Sequence, residues 1–203
     1  MARRSKKSDD ADAAKDKSKK KDRSTSSTKV EVDTRQPIVA VVLGSDTDFP
    51  VVAGCIETLE EFDIPYEARV ISAHRTPDKA HKFASTARLK GFRVLIAAAG
   101  GAAHLAGVMA SLTTLPVIGI PIQTPTLGGA DSLYSTVQMP AGVPVATVAI
   151  GKAGATNAAL LACEILALSD ETLHDRLQSF RAGMRRTVAQ KNARLREKIA
   201  ENA

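Results

Sequence analysis

The chain has 203 residues and a mass of 21.4 kDa, with 44% hydrophobic and 25% charged residues, which is long enough to bury one substantial core. Its two cysteines, Cys55 and Cys163, cannot build a disulfide framework and have no CxxC or His-rich neighbourhood that would suggest zinc; no run of 18 apolar residues offers a membrane span. The pI near 9.4 would suggest nucleic acid, but residues 1–35 hold 12 basic and 7 acidic side chains and residues 181–203 hold 7 and 2, which leaves 9 and 13 between them.

The basicity thus belongs to the two ends, and the middle is mildly acidic. Aromatics make up only 3% of the chain, so there is little stacking surface, and neither nucleic acid nor a membrane is an expected partner. Few cysteines, and an N-terminus without the apolar stretch of a signal peptide, point to a reducing, cytoplasmic setting.

Residues 1–35 mix Lys, Asp, Ser and Ala without periodicity and have almost no apolar side chain before Val30. Such a segment cannot offset its ordering entropy and is expected to be a disordered, charged tail. From Pro37 the texture changes to short β-branched runs at 37–44, 65–72, 92–100, 115–121 and 143–151, separated by helix-compatible segments at 49–62, 77–90, 102–113 and 131–139. Five buried-looking strands with helical crossovers predict an α/β fold: a three-layer αβα sandwich of flavodoxin-like type, with a parallel five-stranded sheet.

A further Ala/Leu-rich helix is predicted over 154–168, and Ser169 is a candidate N-cap for a long C-terminal helix. In that helix Leu173, Leu177, Phe180, Met184, Val188, Leu195 and Ile199 recur at spacings of three, four or seven. The stripe is longer than one small sheet can cover, since a helix rises about 1.5 Å per residue. The expected organisation is therefore a tail over 1–35, an α/β body over 36–168, and a helical extension over 169–203 that packs in part on a neighbouring subunit.

Ligands of open α/β sheets bind outside the carboxyl ends of the strands, so the four loops found there are read as one site. The first, Gly44-Ser45-Asp46-Thr47-Asp48, combines hydroxyls that suit a phosphate with a carboxylate that suits ribose hydroxyls; equally, Ser45 and Asp48 could merely cap the following helix. The second joins His74 and Arg75 to Ser72 and Thr76, with Pro77 placed to start a helix. Arg offers a planar fork for phosphate, and imidazole is the side chain suited to moving a proton near neutrality.

In the third loop Gly100 and Gly101 let backbone approach a flat ligand, alanines line a small apolar pocket, and His104 is either a site residue or a satisfied core histidine. The fourth runs from Gln123 to Asp131. His81 and His174 fall inside predicted helices as surface residues; four histidines without HxH or HExxH spacing give no metal signal. The absence of GxGxxG and GxxxxGK[ST] counts against a dinucleotide or P-loop site.

The segments GSDTD, SAHRTP, AGGAAHLAG, DSLYSTVQMP and AIGKAGATNAALLA resemble, in order and over about residues 36–180, the bacterial purine-biosynthesis family of N5-carboxyaminoimidazole ribonucleotide mutases. The resemblance implies a flavodoxin-like subunit, a homo-octamer, a small-molecule ribonucleotide substrate, no metal and no organic cofactor. It further implies an isomerase that moves a carboxylate from the exocyclic nitrogen of an imidazole to ring carbon 4. Ser45, Asp48 and Arg75 would then hold the ribose phosphate with help from Thr47 and Ser72, His74 would be the general acid and base, and Gly100, Gly101 and His104 would complete the substrate site.

A related carboxylase type, which uses free carbon dioxide, has Lys after the catalytic His and no His in the third loop, so Arg75 and His104 place the resemblance on the mutase side. Ala106 stands where the family usually has Pro and Thr47 where Ser is common. A direct carboxylase using free carbon dioxide and a nucleotide-binding scaffold without catalysis are the alternative readings.

Overall fold

A computed structural model of the chain describes residues 35–202; the expected tail over 1–35 lies, apart from Arg35, outside the described residues. Five strands, β1 (Val39–Leu43), β2 (Tyr66–Val70), β3 (Val94–Gly100), β4 (Val117–Ile122) and β5 (Ala146–Thr147), form one sheet in the order β2-β1-β3-β4-β5. Every pairing is parallel, with Val39 opposite Tyr66 on one side and Val94 on the other. The expected three-layer flavodoxin-like architecture is present.

The sequence explains which strands are central. All five residues of β1 and all six of β4 are buried, as expected of strands covered on both faces, whereas β2 at the edge is half-buried to exposed. One face carries α1 (Phe49–Glu61), α5 (Lys152–Leu166) and the start of α6 (Glu171–Glu201), packed on Val39, Val41, Ile96, Ile118 and Ile120. The opposite face carries α2 (Pro77–Thr86) and α3 (Leu105–Ala110) over Ala40, Val42, Leu95 and Ala97. Helix α4 (Ala130–Val137) lies against Gly119 of β4, where a Cβ would stand 2.4 Å from the Thr136 methyl, so glycine is what lets the helix approach.

Several elements are shorter than the sequence pattern suggests. The fifth strand pairs over two residues rather than 143–151; Pro144 has no N–H to give the ladder ahead of Ala146, and beyond Thr147 the chain still follows β4 through Val148 N–H to Gly119 O at 3.1 Å and Gly151 N–H to Pro121 O at 2.9 Å. Helix α2 stops at Thr86 and passes into a 3-10 turn, Arg88–Lys90, closed by Gly91 at φ 89°. Helix α3 begins at Leu105, since residues 102–104 form tight turns with Ala103 N–H on Gly101 O and His104 N–H on Ala102 O. Ala106 therefore sits, buried, in the first turn of a helix rather than in the loop.

The cap of α6 is Asp170 and not Ser169: the Asp170 carboxylate accepts from Leu173 N–H at 3.0 Å, while the Ser169 hydroxyl turns back to Leu166 O. The apolar stripe of α6 divides in two. Leu173 and Leu177 are buried against α5, with Phe180 packed beside them, whereas Met184, Val188, Leu195 and Ile199 are exposed on this chain. Leu177→Ala should lower the unfolding free energy by about 2–5 kcal/mol, the cost of an unfilled core leucine; a change in denaturant midpoint equivalent to less than 1 kcal/mol, by the same scale, would contradict the assigned packing.

Candidate active site

The chain steps from β1 outward to β2 and then back across β1 to β3, so the loops after β1, β2 and β3 meet where the direction of sheet growth reverses. A cavity of about 380 Å3 opens there, within the range of small-molecule sites. Its lining comes from those three loops: Gly44, Ser45 and Asp48; Ser72, Ala73, His74 and Arg75; Ala99, Gly100, Ala102 and Leu105. Of the sequence-predicted residues, Thr47, Gly101 and His104 are not part of this lining, although Thr47 bonds to Ser45 and His104 to His74. The loop from Gln123 to Asp131 supplies no lining residue, and its Thr124 hydroxyl is engaged with Asp131 at 2.8 Å.

In the first loop Gly44 N–H is fixed on Ala98 O at 2.9 Å, which sets the direction of the turn. Ser45 does act as a cap, accepting from Thr47 N–H at 3.4 Å and from the Thr47 hydroxyl at 2.9 Å. Asp48, at the cap position of α1, makes no side-chain capping bond, so its carboxylate remains available to the cavity. Burial pushes that carboxyl above its usual range; a hydrogen bond involving the Ser45 backbone opposes the shift and the nearby Asp46 charge adds to it.

The second loop is a closed turn. Thr76 N–H and the Thr76 hydroxyl both donate to Ser72 O at 2.9 Å, Thr76 Oγ1 accepts from Ser72 N–H at 3.1 Å, and Ser72 Oγ accepts from Arg75 N–H at 3.2 Å. The loop therefore presents His74 and Arg75 outward from a braced base. Arg75 leans to the first loop, its Nη2 donating to Gly44 O at 3.4 Å, which leaves most of its five donors for an anion.

His104 is no core histidine. His74 Nε2 and His104 Nδ1 are 2.9 Å apart, with the ring planes at 88° and both rings exposed on this chain. One proton lies between these two atoms, so one imidazole donates and the other accepts, and the bond fixes how the two rings face each other. His81 and His174 are exposed on α2 and α6, away from this cavity.

The third loop is clamped by side chains to which the sequence reading assigns no role. Ser132, fully buried on α4, accepts from Gly101 N–H at 2.9 Å and donates to Ile122 O at 2.7 Å. Ser135 accepts from Ala103 N–H at 3.0 Å, with Gly101 O and Asp131 O as acceptors for its proton, and Thr136 donates to Ser132 O at 2.7 Å. Gly101 holds φ 67°, a conformation a side chain would strain. The detectable signal was hydroxyls at positions 132, 135 and 136, one helical face, but only the fold reveals that this face looks at the third loop.

Among the described residues no group of three or more His, Cys, Asp or Glu is arranged to hold a metal ion. Cys55 and Cys163 are free and buried, and burial pushes both thiols up to about 12, which leaves them unreactive.

The model of the AIR carboxylase family matches residues 38–187. A Synechocystis protein named N5-carboxyaminoimidazole ribonucleotide mutase is 53% identical over 159 residues, 78% of this chain and 89% of that protein. The Bacillus subtilis protein of the same name is 51% identical over 160 residues, covering 79% of this chain and 99% of its own. The crystal structure of Treponema denticola PurE superposes with a TM-score of 0.71 at 28% identity, over 78% of this chain and 98% of that one. With matched residues that run from β1 into α6 and half-identical relatives along the whole α/β body, the chain belongs to the AIR carboxylase family.

Proposed function

We propose that the chain is the purine-biosynthesis isomerase that converts N5-carboxyaminoimidazole ribonucleotide into 4-carboxy-5-aminoimidazole ribonucleotide. The observation that carries this reading is the meeting of His74, Arg75, Asp48 and the glycine loop on one small cavity at the switch point. Arg75, Ser45 and Ser72 offer cationic and hydroxyl donors for the ribose phosphate, with Thr47 bracing Ser45, and Asp48 offers an acceptor for ribose hydroxyls. The uncapped state of Asp48 supports its role as a ligand group rather than a helix cap.

His74 delivers a proton to the exocyclic carbamate nitrogen, the carbon–nitrogen bond breaks, and carbon dioxide and the free amine are released. Ring carbon 4 then attacks carbon dioxide, forming the new carbon–carbon bond, and the proton on carbon 4 returns to the same imidazole. One proton leaves His74 and one comes back, so the site is regenerated without a metal or an organic cofactor. Ala73, Ala99, Ala102 and Leu105 supply an apolar wall that suits carbon dioxide, and Gly100 and Gly101 allow the imidazole plane to lie close to backbone. His104 orients His74 through the shared hydrogen bond.

Arg75 and His104 favour the mutase over a carboxylase that draws on free carbon dioxide, as do the names of the half-identical relatives. Retaining carbon dioxide needs a closed pocket, yet both histidine rings are exposed on the single chain. That exposure, together with exposed Met184, Val188, Leu195 and Ile199, supports a homo-octamer in which the 169–203 extension packs partly on a neighbour. A cytoplasmic setting is supported by the two free thiols.

Three substitutions test the roles. His74→Asn keeps a hydrogen bond but cannot transfer protons near neutrality, so turnover should fall roughly 100- to 10,000-fold with ribonucleotide binding retained, while His104→Asn costs less. Near-normal turnover in His74→Asn beside an inactive, ligand-binding His104→Asn would move the acid and base role to the third loop. Asp48 has a folded-state pKa raised above its unfolded value, so its charge opposes folding at neutral pH and this penalty fades as pH falls. Asp48→Asn should therefore leave Tm at pH 7 unchanged or higher while weakening ribonucleotide binding roughly tenfold or more; a lowered Tm with unchanged binding would make Asp48 a structural residue.

A further inference from the structure

A second cavity, of about 630 Å3, opens along the β2 edge of the sheet and shares no lining residue with the candidate active site. Arg69 comes to it from β2, Lys79 and Lys82 from one face of α2, and Lys90 from the 3-10 turn that follows, with Val70, Ile71 and Phe83 as the apolar part of the wall. The body is acidic on balance, yet the run 79–93 holds five Lys and Arg and no Asp or Glu, so this local charge does not follow from the chain's general basicity.

The cations are placed rather than merely present. Phe83 is 4% exposed and anchored in the core, and its ring draws Arg69 Cζ to 5.6 Å and Lys90 Nζ to 5.8 Å from the centroid. Arg69 is paired with Glu67, but none of Lys79, Lys82 and Lys90 makes an ion pair among the described residues. Three unpaired ammonium groups around one concavity repel one another, and a bound anion removes that cost.

We propose that this cavity binds a small molecule carrying a chain of phosphates, of the class of nucleoside di- and triphosphates. Ammonium groups act as point charges that suit the many oxygens of a phosphate chain. Three unpaired cations balance the three or four negative charges of a di- or triphosphate better than a single phosphate. The volume lies within the small-molecule range, and Val70, 56% exposed beside the cations, offers an apolar surface for a base. This site is independent of the proposed reaction, since none of its residues lines the first cavity.

The test is isothermal titration calorimetry on the full chain at about 0.15 M salt, with ATP, ADP, AMP and tripolyphosphate as probes. ATP should bind at least tenfold more tightly than AMP and lose affinity as salt is raised. Tripolyphosphate should compete with it; a base held by Val70 makes ATP the tighter of the two, and equal affinities assign the site to the phosphate chain alone. The double substitution Lys82→Ala, Lys90→Ala, both exposed, should weaken ATP at least tenfold with turnover unchanged, and Lys79→Glu alone should reproduce the loss. The proposal is overturned by any of four results: no ATP binding at millimolar concentration, binding unaffected by these substitutions, displacement of ATP by the ribonucleotide substrate, or a single-stranded oligonucleotide binding more tightly than ATP.

Discussion

All five strands run in the same direction, so all of them end at one edge, and the order β2-β1-β3 makes the chain reverse its direction of growth across β1. This constraint brings together residues far apart in sequence, Asp48, His74 and Ala102 among them, and the bonds from Arg75 to Gly44 and between His74 and His104 then join their loops. It rests in turn on β1 being buried on both faces, because Val39 to Leu43 must pair with a strand on each side and accept a helix layer above and below. A charged residue anywhere in that run would disturb the core and the site together.

The site itself is held by polar bonds more than by apolar packing. The second loop is closed by Ser72 and Thr76, and the third is clamped to α4 by Ser132 and Ser135, so the two histidine-bearing loops are braced by different parts of the chain. The two loops are joined by the His74 to His104 bond. Such bracing suits a reaction in which a small gas molecule must be held between bond breaking and bond making, because a mispositioned ring carbon would let it escape.

Much of this was legible in the sequence, and the rest was not for identifiable reasons. The β-branched runs gave the parallel sheet because a strand buried on both faces needs no alternation, and Pro77 marked the start of α2. The loops after the first three strands could be named as a site from their order alone. What periodicity could not carry was local hydrogen bonding: Asp170 rather than Ser169 caps α6, and the fifth strand pairs over only two residues. The exclusion of the Gln123 to Asp131 loop, the pairing of His104 with His74 and the clamp from α4 depend on which strands are neighbours, which one sequence does not state. The division of the α6 stripe into a buried and an exposed half is likewise a fact of packing, since Leu177 and Leu195 look alike in sequence.

The central claim is that the carboxylate released from nitrogen is the one attached to carbon 4. It is tested most directly by giving the purified full chain N5-carboxyaminoimidazole ribonucleotide labelled with 13C in the carbamate, in buffer containing unlabelled bicarbonate, and reading the label in the first product formed. The account predicts that most of the 13C is recovered in the carbon 4 carboxylate. A product carrying instead the isotope content of the bicarbonate pool would contradict it and mark the chain as a carboxylase that draws on free carbon dioxide.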